Sequence, residues 1–411
     1  MHILYISQYF PPETGAAQSR AYEMSRNLVK LGNRVTVVTG FPNYPRGEIY
    51  TGYRGELYRR EKMEGLEVVR TCLFPDPKNG SIKRIFSYGT FFMTSIMGAL
   101  GVKEVDLVYA SSPPLSVGLA GYLVSKLKAA KFCIEVRDLW VDFAVSLEKL
   151  NSSFLIRMIR GLEKIIYKKA DKIITVTNGF KDNLVTRGYR KEKVRVITNG
   201  FEGTVFSPGL RKNKISEKYC LHDKFVVMYA GNLGLAQGLD FLIEAAEKTK
   251  EKSDIIYLLV GTGADKEKLK KKAIKKKLNN IIFVDNQPRH KIPDFLSAAD
   301  ALLISLKDLP LFDITIPSKV FDYLAMGKPI LIGVKGEARN IIEDAEAGFY
   351  FKPGDADDFV CKLNKIYSNP KLRKEMSKNA RNYALNNFRV KNLCKKLNKI
   401  LQQLNEGGVN R

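Results

Sequence analysis

Cysteine and histidine are scarce: 411 residues hold five cysteines and three histidines. Cys72, Cys133, Cys220, Cys361 and Cys394 lie far apart, and the histidines are scattered. This excludes a disulfide framework and a sequence-local zinc site, so no metal cofactor is expected. The apolar run Ile3 to Ile6 follows no basic segment and no small-residue cleavage site, so a secretory signal is not expected and a reducing cytoplasm is. The dinucleotide fingerprint is missing as well: Gln8-Tyr9-Phe10-Pro11-Pro12-Glu13-Thr14-Gly15 follows the first apolar run, and the second ends in Thr39-Gly40 without an acidic ribose ligand. That excludes a nicotinamide enzyme. Walker A and G-x-S-x-G patterns are absent, which removes P-loop phosphoryl transfer and α/β-hydrolase chemistry. Acidic residues are outnumbered, 43 against 68 basic, leaving a net charge of +25. An anionic partner is implied, whether nucleic acid, anionic lipid or a phosphorylated substrate. Part of the excess sits in Lys266 to Lys277, which also reads as a solvated helix face. Aromatic–basic interleaving is lacking, so no specific nucleic-acid partner is expected.

What is present is a globular composition, 45% hydrophobic and 27% charged, with enough length for two cores. Short apolar, β-branched runs alternate with helical periodicity throughout, the pattern of parallel α/β construction. Strands are predicted at 3–7, 34–39, 66–71, 106–111, 132–136, 172–177 and 194–197. A second series is predicted at 225–230, 255–260, 281–284, 301–305, 329–333 and 348–351. The stretch from Gly200 to Lys224 turns to Gly, Pro, Ser and Lys and reads as a linker. The expected organisation is a Rossmann-like domain at 1–200, a linker at 201–224, a second Rossmann-like domain at 225–369, and terminal helical text at 370–411 crossing back to the first. Each half opens with a strand, a glycine-bearing loop (Gly15; Gly231 and Gly234) and a helix, which predicts an interdomain ligand cleft outside the carboxyl ends of both sheets.

Several segments carry chemistry. Gly15-Ala16-Ala17 opens a helix with Ala21, Met24, Leu28 and Leu31 on one face and Gly32 as its stop, and small residues at a helix N-terminus suit a phosphate as well as a plain turn. In Thr315 to Pro329, Pro317 and Ser318 precede a helix on which Lys319 and Asp322 share a face. That spacing fits a cation for a diphosphate beside a carboxylate for sugar hydroxyls, and equally a surface ion pair. Gly261 after a strand can bring backbone near a nucleotide, and Gln287, Pro288 and Arg289 after another can border a base; both also read as ordinary βα loops. Arg137 and Asp138 end a first-domain strand in Glu135-Val136-Arg137-Asp138-Leu139-Trp140 and are acceptor-side candidates, with a structural salt bridge as the alternative. The uncharged run Ile85 to Val102 after Lys83-Arg84 is diluted by Ser, Thr and Gly, and reads as an interfacial or core helix rather than a span. Ser153 to Lys169 sets the stripe Leu155, Ile159, Leu162 and Ile166 against Arg157, Arg160, Lys164, Lys168 and Lys169. Peripheral attachment to an anionic membrane surface through these segments, beside Phe91 and Phe92, is expected.

The Pro317–Pro329 block, the opening Phe10-Pro11-Pro12-Glu13-Thr14-Gly15, the Asn199-Gly200 junction and Ala230-Gly231-Asn232-Leu233-Gly234 together resemble the retaining family-4 glycosyltransferases of the GT-B fold, over essentially the whole chain. Within that family the chain looks most like the surface-polysaccharide branch, similar to colanic-acid and O-antigen N-acetyl-L-fucosamine transferases. The resemblance implies an α/β fold of two Rossmann-like parallel-sheet domains facing a cleft. It also implies transfer of a hexosyl or N-acetylhexosaminyl unit from a nucleotide sugar, UDP-linked, to a lipid-linked or oligosaccharide acceptor without a metal. By position, Gly231, Asn232, Leu233, Gln237, Gly261, Gln287, Arg289, Pro317, Ser318, Lys319 and Asp322 fall on the donor side, with Gly15 and Ala16 closing over the phosphates. Asp322 stands where the family has the ribose-binding second glutamate of its E-x7-E element; the first falls on Ile314. The family's basic pair in the Gly231 loop corresponds to the neutral Asn232 and Gln237. Lys319 is therefore assigned the clamp, and Lys319 and Asp138 the catalytic roles. A nucleotide-sugar epimerase on a similar fold and a basic nucleic-acid-binding protein are the alternatives.

Overall fold

The computed structural model describes residues 1–44, 47–75, 81–146, 150 and 152–407. The chain divides into two units, one of Met1–Asn199 with Val390–Arg411 and the other of Gly200–Arg389. The segment expected as a linker, 201–224, therefore lies inside the second unit. Its Arg211 guanidinium pairs with Asp300 at 2.9 Å, and Asn213 caps a short helix, Lys214–Lys218. The helix Pro370–Asn387 also belongs to the second unit, so only the final helix, Val390–Glu406, returns to the first.

The first unit contains β1 (His2–Ile6), β2 (Arg34–Gly40), β3 (Tyr58–Met63), β4 (Leu66–Thr71), β5 (Leu107–Ser112), β6 (Lys131–Val136), β7 (Lys172–Thr175) and β8 (Val194–Val196). They form one sheet in the order β3-β4-β2-β1-β5-β6-β7-β8. All pairs are parallel except β3 with β4. β3 is the one strand the sequence pattern missed. Its text, YRREKM, lacks an apolar run because it is a sheet edge whose side chains are all at least partly exposed.

A parallel sheet must be covered on both faces. Alternation along each strand sends Ile3, Tyr5, Val35, Val37, Leu107 and Tyr109 to one side. There they meet Ala21, Met24 and Leu28 of α1 (Ala16–Lys30) and Leu393, Leu397 and Leu401 of the final helix. The three- and four-residue spacing of both sets lets the helices lie side by side, and removing one such leucine by substitution with alanine costs about 2–5 kcal/mol. α2 (Ser81–Leu100), α3 (Leu115–Leu127) and the helix Ser153–Lys169 form a second helical group, in which α3 packs against both others. Gly121 lets α3 approach the sheet, since a Cβ there would lie 2.6 Å from that of Ala110.

Phe91, expected at the surface of α2, is fully buried. The outer face of α2 instead carries Ile85, Phe86, Met93, Met97 and Leu100, all exposed. The helix Ser153–Lys169 has two apolar stripes: the expected one through Ile166 turns inward, while Phe154 (76% exposed), Met158 and Ile165 point out among the basic side chains. Among the described residues no helix is long and apolar enough to cross a membrane.

The second unit is built from β9 (Phe225–Ala230), β10 (Ile255–Val260), β11 (Ile281–Val284), β12 (Ala301–Ser305), β13 (Ile330–Gly333) and β14 (Gly348–Tyr350), ordered β11-β10-β9-β12-β13-β14 and parallel throughout. Within each unit the strand order reverses beside the first strand, at β1/β5 and at β9/β12. In open α/β sheets a ligand crevice forms at such a point, outside the carboxyl ends.

Candidate active site

In the second unit the crevice is shaped by two glycine loops. β9 ends at Ala230, and Gly231 follows with φ 139°. Gly261, after β10, also has positive φ, and a Cβ there would lie 1.8 Å from the Gly231 carbonyl oxygen. Backbone therefore packs on backbone, which only glycine permits at this separation. Leu233 is committed to this packing: its side chain is fully buried in the core, its N–H donates to the Thr262 carbonyl and its carbonyl accepts from Asp265. Gln237 closes the loop, with Oε1 accepting from the Gly234 N–H at 3.1 Å, while Asn232 is exposed and its carbonyl accepts from the Tyr229 hydroxyl at 2.7 Å.

Lys319 begins the helix Lys319–Ala325, after Pro317 and Ser318. Its Nζ is buried, has no hydrogen-bond partner and sits 3.6 Å from the centre of the Tyr229 ring. Gly231 is the neighbour that makes room, since a Cβ there would lie 3.1 Å from Nζ. A ring face attracts a cation but does not replace water, so burial pushes the Lys319 amine down to about 7. Tyr323, on the same helix, fastens it to β9: its hydroxyl accepts from the Ala230 N–H at 2.9 Å and lies 3.2 Å from the Ala230 carbonyl.

The Lys319/Asp322 ion pair that the spacing allowed does not form. Asp322 lies in the field of Arg289, and burial, opposed by that guanidinium, pushes its carboxyl up to about 6. Arg289 stacks on Phe206. Gln287 bonds back to the Asp285 carbonyl. The structure thus gathers Gly231, Gly261 and Lys319 and couples Asp322 to Arg289, while Leu233 belongs to the core. Sequence reading passed over Tyr229 and Tyr323, both of which sit in apolar text and look like core residues.

In the first unit, Gly15 (φ 155°) precedes α1 without a side-chain cap, and Ala16 is exposed at its first position. Glu13 beside them is buried and accepts from the N–H groups of Phe10, Asn43 and Tyr44. It ties the loop after β1 to the loop after β2, and burial lifts its carboxyl to about 7 despite those bonds. Glu135 on β6 is fully buried, with its charge met by Arg20 at 2.8 Å and by the hydroxyls of Tyr109 and Ser111. Arg20 also donates to the carbonyls of Ile197 and Thr198. Arg137 stands 4.0 Å from Glu135, and burial pulls the pKa of its guanidinium below the ordinary value. Asp138 forms no ion pair with Arg137, and burial raises its carboxyl to about 7.

Two sequence families meet on this chain. The Glycosyl transferase 4-like domain matches residues 15–200, and the family described as Glycosyl transferases group 1 matches residues 211–383. The chain is a GT-B glycosyltransferase of group 1. Among its relatives is the putative colanic acid biosynthesis glycosyl transferase WcaI of Escherichia coli (strain K12), 27% identical over 79% of this chain and 81% of that protein. An uncharacterized glycosyltransferase of Methanocaldococcus jannaschii is 23% identical over 96% and 97% of the respective chains. Among solved structures, sucrose-phosphate synthase from Thermosynechococcus elongatus superposes with a TM-score of 0.76 at 17% identity, covering 98% of each chain. Anabaena HepE in complex with UDP gives 0.74 at 18% identity, covering 98% of this chain and all of that one. The glycosyltransferase thus carries its glycine loops, Lys319 and Asp322 in the part matched by the group 1 family, and Gly15, Glu13, Arg137 and Asp138 at or beside the 4-like domain.

Proposed function

We propose that this glycosyltransferase moves a hexosyl or N-acetylhexosaminyl unit from a UDP-linked donor to a lipid-linked or oligosaccharide acceptor in surface-polysaccharide synthesis, with retention at the anomeric carbon. The observation that carries the donor reading is the Lys319 amine, buried without a hydrogen-bonding or ionic partner beside the Gly231 loop at a topological switch point. A desolvated amine gains most from an anion that completes its coordination, and a diphosphate supplies it. The UDP bound to the fold neighbour HepE and the colanic-acid role in the name of WcaI support the nucleotide and the pathway class. Asp322 takes the ribose hydroxyls, and Arg289 holds it toward the ionised form.

In this mechanism the sugar's bond to the leaving phosphate breaks as the acceptor hydroxyl attacks from the same face. The departing phosphate oxygen takes the hydroxyl proton, and Lys319 neutralises charge that grows on the diphosphate. Asp138 and Arg137 serve the acceptor side, and the scheme asks for no metal. The exposed apolar side chains of α2 and of Ser153–Lys169, set among Lys83, Arg157, Lys164 and Lys168, support attachment to an anionic membrane surface. Incubation with UDP-sugars and an acceptor, followed by NMR of the product anomer, tests the reading. An inverted product refutes retention, and sugar conversion without acceptor dependence refutes transfer.

A further inference from the structure

The first unit holds a second set of polar groups that its own chain leaves unsatisfied. α3 starts at Leu115, just after β5, on the crevice side of the β1/β5 switch point, and no side chain caps it. A helix of this length leaves its first N–H groups without intrahelical partners and carries a partial positive charge at that end. Two side chains converge there. The Ser116 hydroxyl, in the first turn, is buried and has no hydrogen-bond partner. Arg137 reaches the same place from the end of β6: its Nη2 donates to the Pro113 carbonyl at 3.0 Å, one residue before the cap position Pro114. Its side chain is only 10% exposed, and its Nε is buried without a hydrogen-bond partner.

The charges facing Arg137 do not cancel it. Glu135 is already engaged at 2.8 Å by Arg20 and by two hydroxyls, and stands 4.0 Å from Arg137. The remaining groups in its field are Arg20 itself, the neutral Tyr5 and Asp138, whose carboxyl burial raises to about 7. A buried guanidinium whose Nε makes no hydrogen bond and faces the already engaged Glu135 at 4.0 Å, an unpaired hydroxyl and an uncapped helix start form a donor set short of acceptors, and such groups cost free energy until one arrives.

We propose that the α3 N-terminus, Ser116 and Arg137 form an oxyanion subsite that binds a phosphoryl group carried by the acceptor. The proposal rests on the reading of the first unit as the acceptor side. Tetrahedral phosphate matches the set because it offers several acceptor oxygens at once to a guanidinium, a hydroxyl and helical N–H groups. The phosphoryl group belongs either to a diphosphate linking the sugar to a lipid or to a soluble sugar phosphate.

Calorimetry on the full chain separates these cases. UDP is titrated first and inorganic pyrophosphate second, into the UDP-saturated protein, so that the donor site is occupied. The expected result is a second saturable event, weakened at least about tenfold in Arg137→Gln and about threefold in Ser116→Ala, with UDP affinity held. Ser116→Ala removes one hydroxyl from a half-buried helix turn without adding bulk and reports on the subsite should Arg137→Gln fold poorly. No pyrophosphate binding beyond UDP, or equal binding in both variants, overturns the subsite while leaving the donor reading intact. Absence of UDP binding overturns the donor reading instead, and the pyrophosphate titration against the two variants is read in the same way. Substituting decyl diphosphate for pyrophosphate identifies the source: tighter binding supports a lipid-linked acceptor, equal binding a soluble phosphorylated one.

Discussion

The two units share the parallel core order in which the strands reverse beside the first, yet their most deeply buried charges are met differently. In the first, Glu135 is matched by Arg20, and Glu13 accepts from three backbone N–H groups. In the second, Lys319 is buried with an aromatic face and no ion partner. Their surfaces differ too. Among the described residues, all but three of the exposed large apolar side chains (Leu210, Leu235 and Ile274) belong to the first unit. A common architecture therefore fixes where a site can be, while local charge balance separates a self-satisfied pair such as Arg20 with Glu135 from groups held ready for a ligand, Lys319 in the second unit and Arg137 in the first. Satisfied charges stabilise the fold that makes them, and an unsatisfied one is tolerated where a ligand returns the lost free energy.

The contrast can be broken most severely at Arg20. Arg20→Met leaves Glu135 charged and buried, and removing one partner of such a pair costs about 3–5 kcal/mol. A large drop in the thermal midpoint is expected, with much of it recovered in the double change Arg20→Met with Glu135→Leu. An unchanged midpoint in the single variant would show that the pair is not structural. Lys319→Ala should do the reverse, holding or raising stability while weakening UDP binding at least about tenfold, since a charge-assisted contact contributes about 1.5–3 kcal/mol. Near-normal affinity would move the clamp to Arg289.

The same residue predicts a pH dependence. The folded amine releases its proton near 7 and the unfolded one near its ordinary 10.5, so the unfolded chain binds more protons between these values. The Lys319 contribution to stability therefore rises with pH over that window. UDP affinity runs the other way, falling as pH climbs above about 7, because the diphosphate needs the cation. Calorimetry at several pH values checks this, and a slope that persists in Lys319→Ala would assign it elsewhere.

Smaller effects sharpen the picture. Asp322→Asn should lower UDP affinity several-fold while leaving inhibition by inorganic pyrophosphate nearly intact, because the carboxylate is assigned to ribose hydroxyls; equal losses for both ligands would cancel that assignment. Flotation with anionic liposomes should weaken at high salt and in Phe154→Glu with Met158→Glu, given about 1 kcal/mol for each basic residue near an anionic surface. Attachment that survives both changes would exclude this face. The smallest expected effect is none: chelation with EDTA should leave transfer at its starting rate.

Much of the fold was legible because a parallel strand buried on both faces must be apolar along its length, and thirteen such runs appear as strands. β3 was illegible because an edge strand is stabilised by backbone pairing with β4, to which its charged side chains give no clue. The limits of the units also escaped: 201–224 reads as a linker by composition, but Arg211 on Asp300 ties it to the second unit. In the site, glycines at 231 and 261 could be read as loop markers, but their contact with each other is a long-range event.

The sequence by itself determined the alternation of strands and helices, the excess of positive charge, the glycine loops after β9 and β10, and the presence of Lys319 and Asp322 on one short helix. Only the tertiary structure decided that these two residues part company, the amine onto Tyr229 and the carboxylate toward Arg289. It also decided which apolar stripe of Ser153–Lys169 faces water, and that Arg137 meets the start of α3. The reason is physical. Periodicity specifies which residues share a face, whereas burial and the distance to a charge partner depend on which distant element lies against that face, and those two quantities set whether a charged group is a fastening or a binding site.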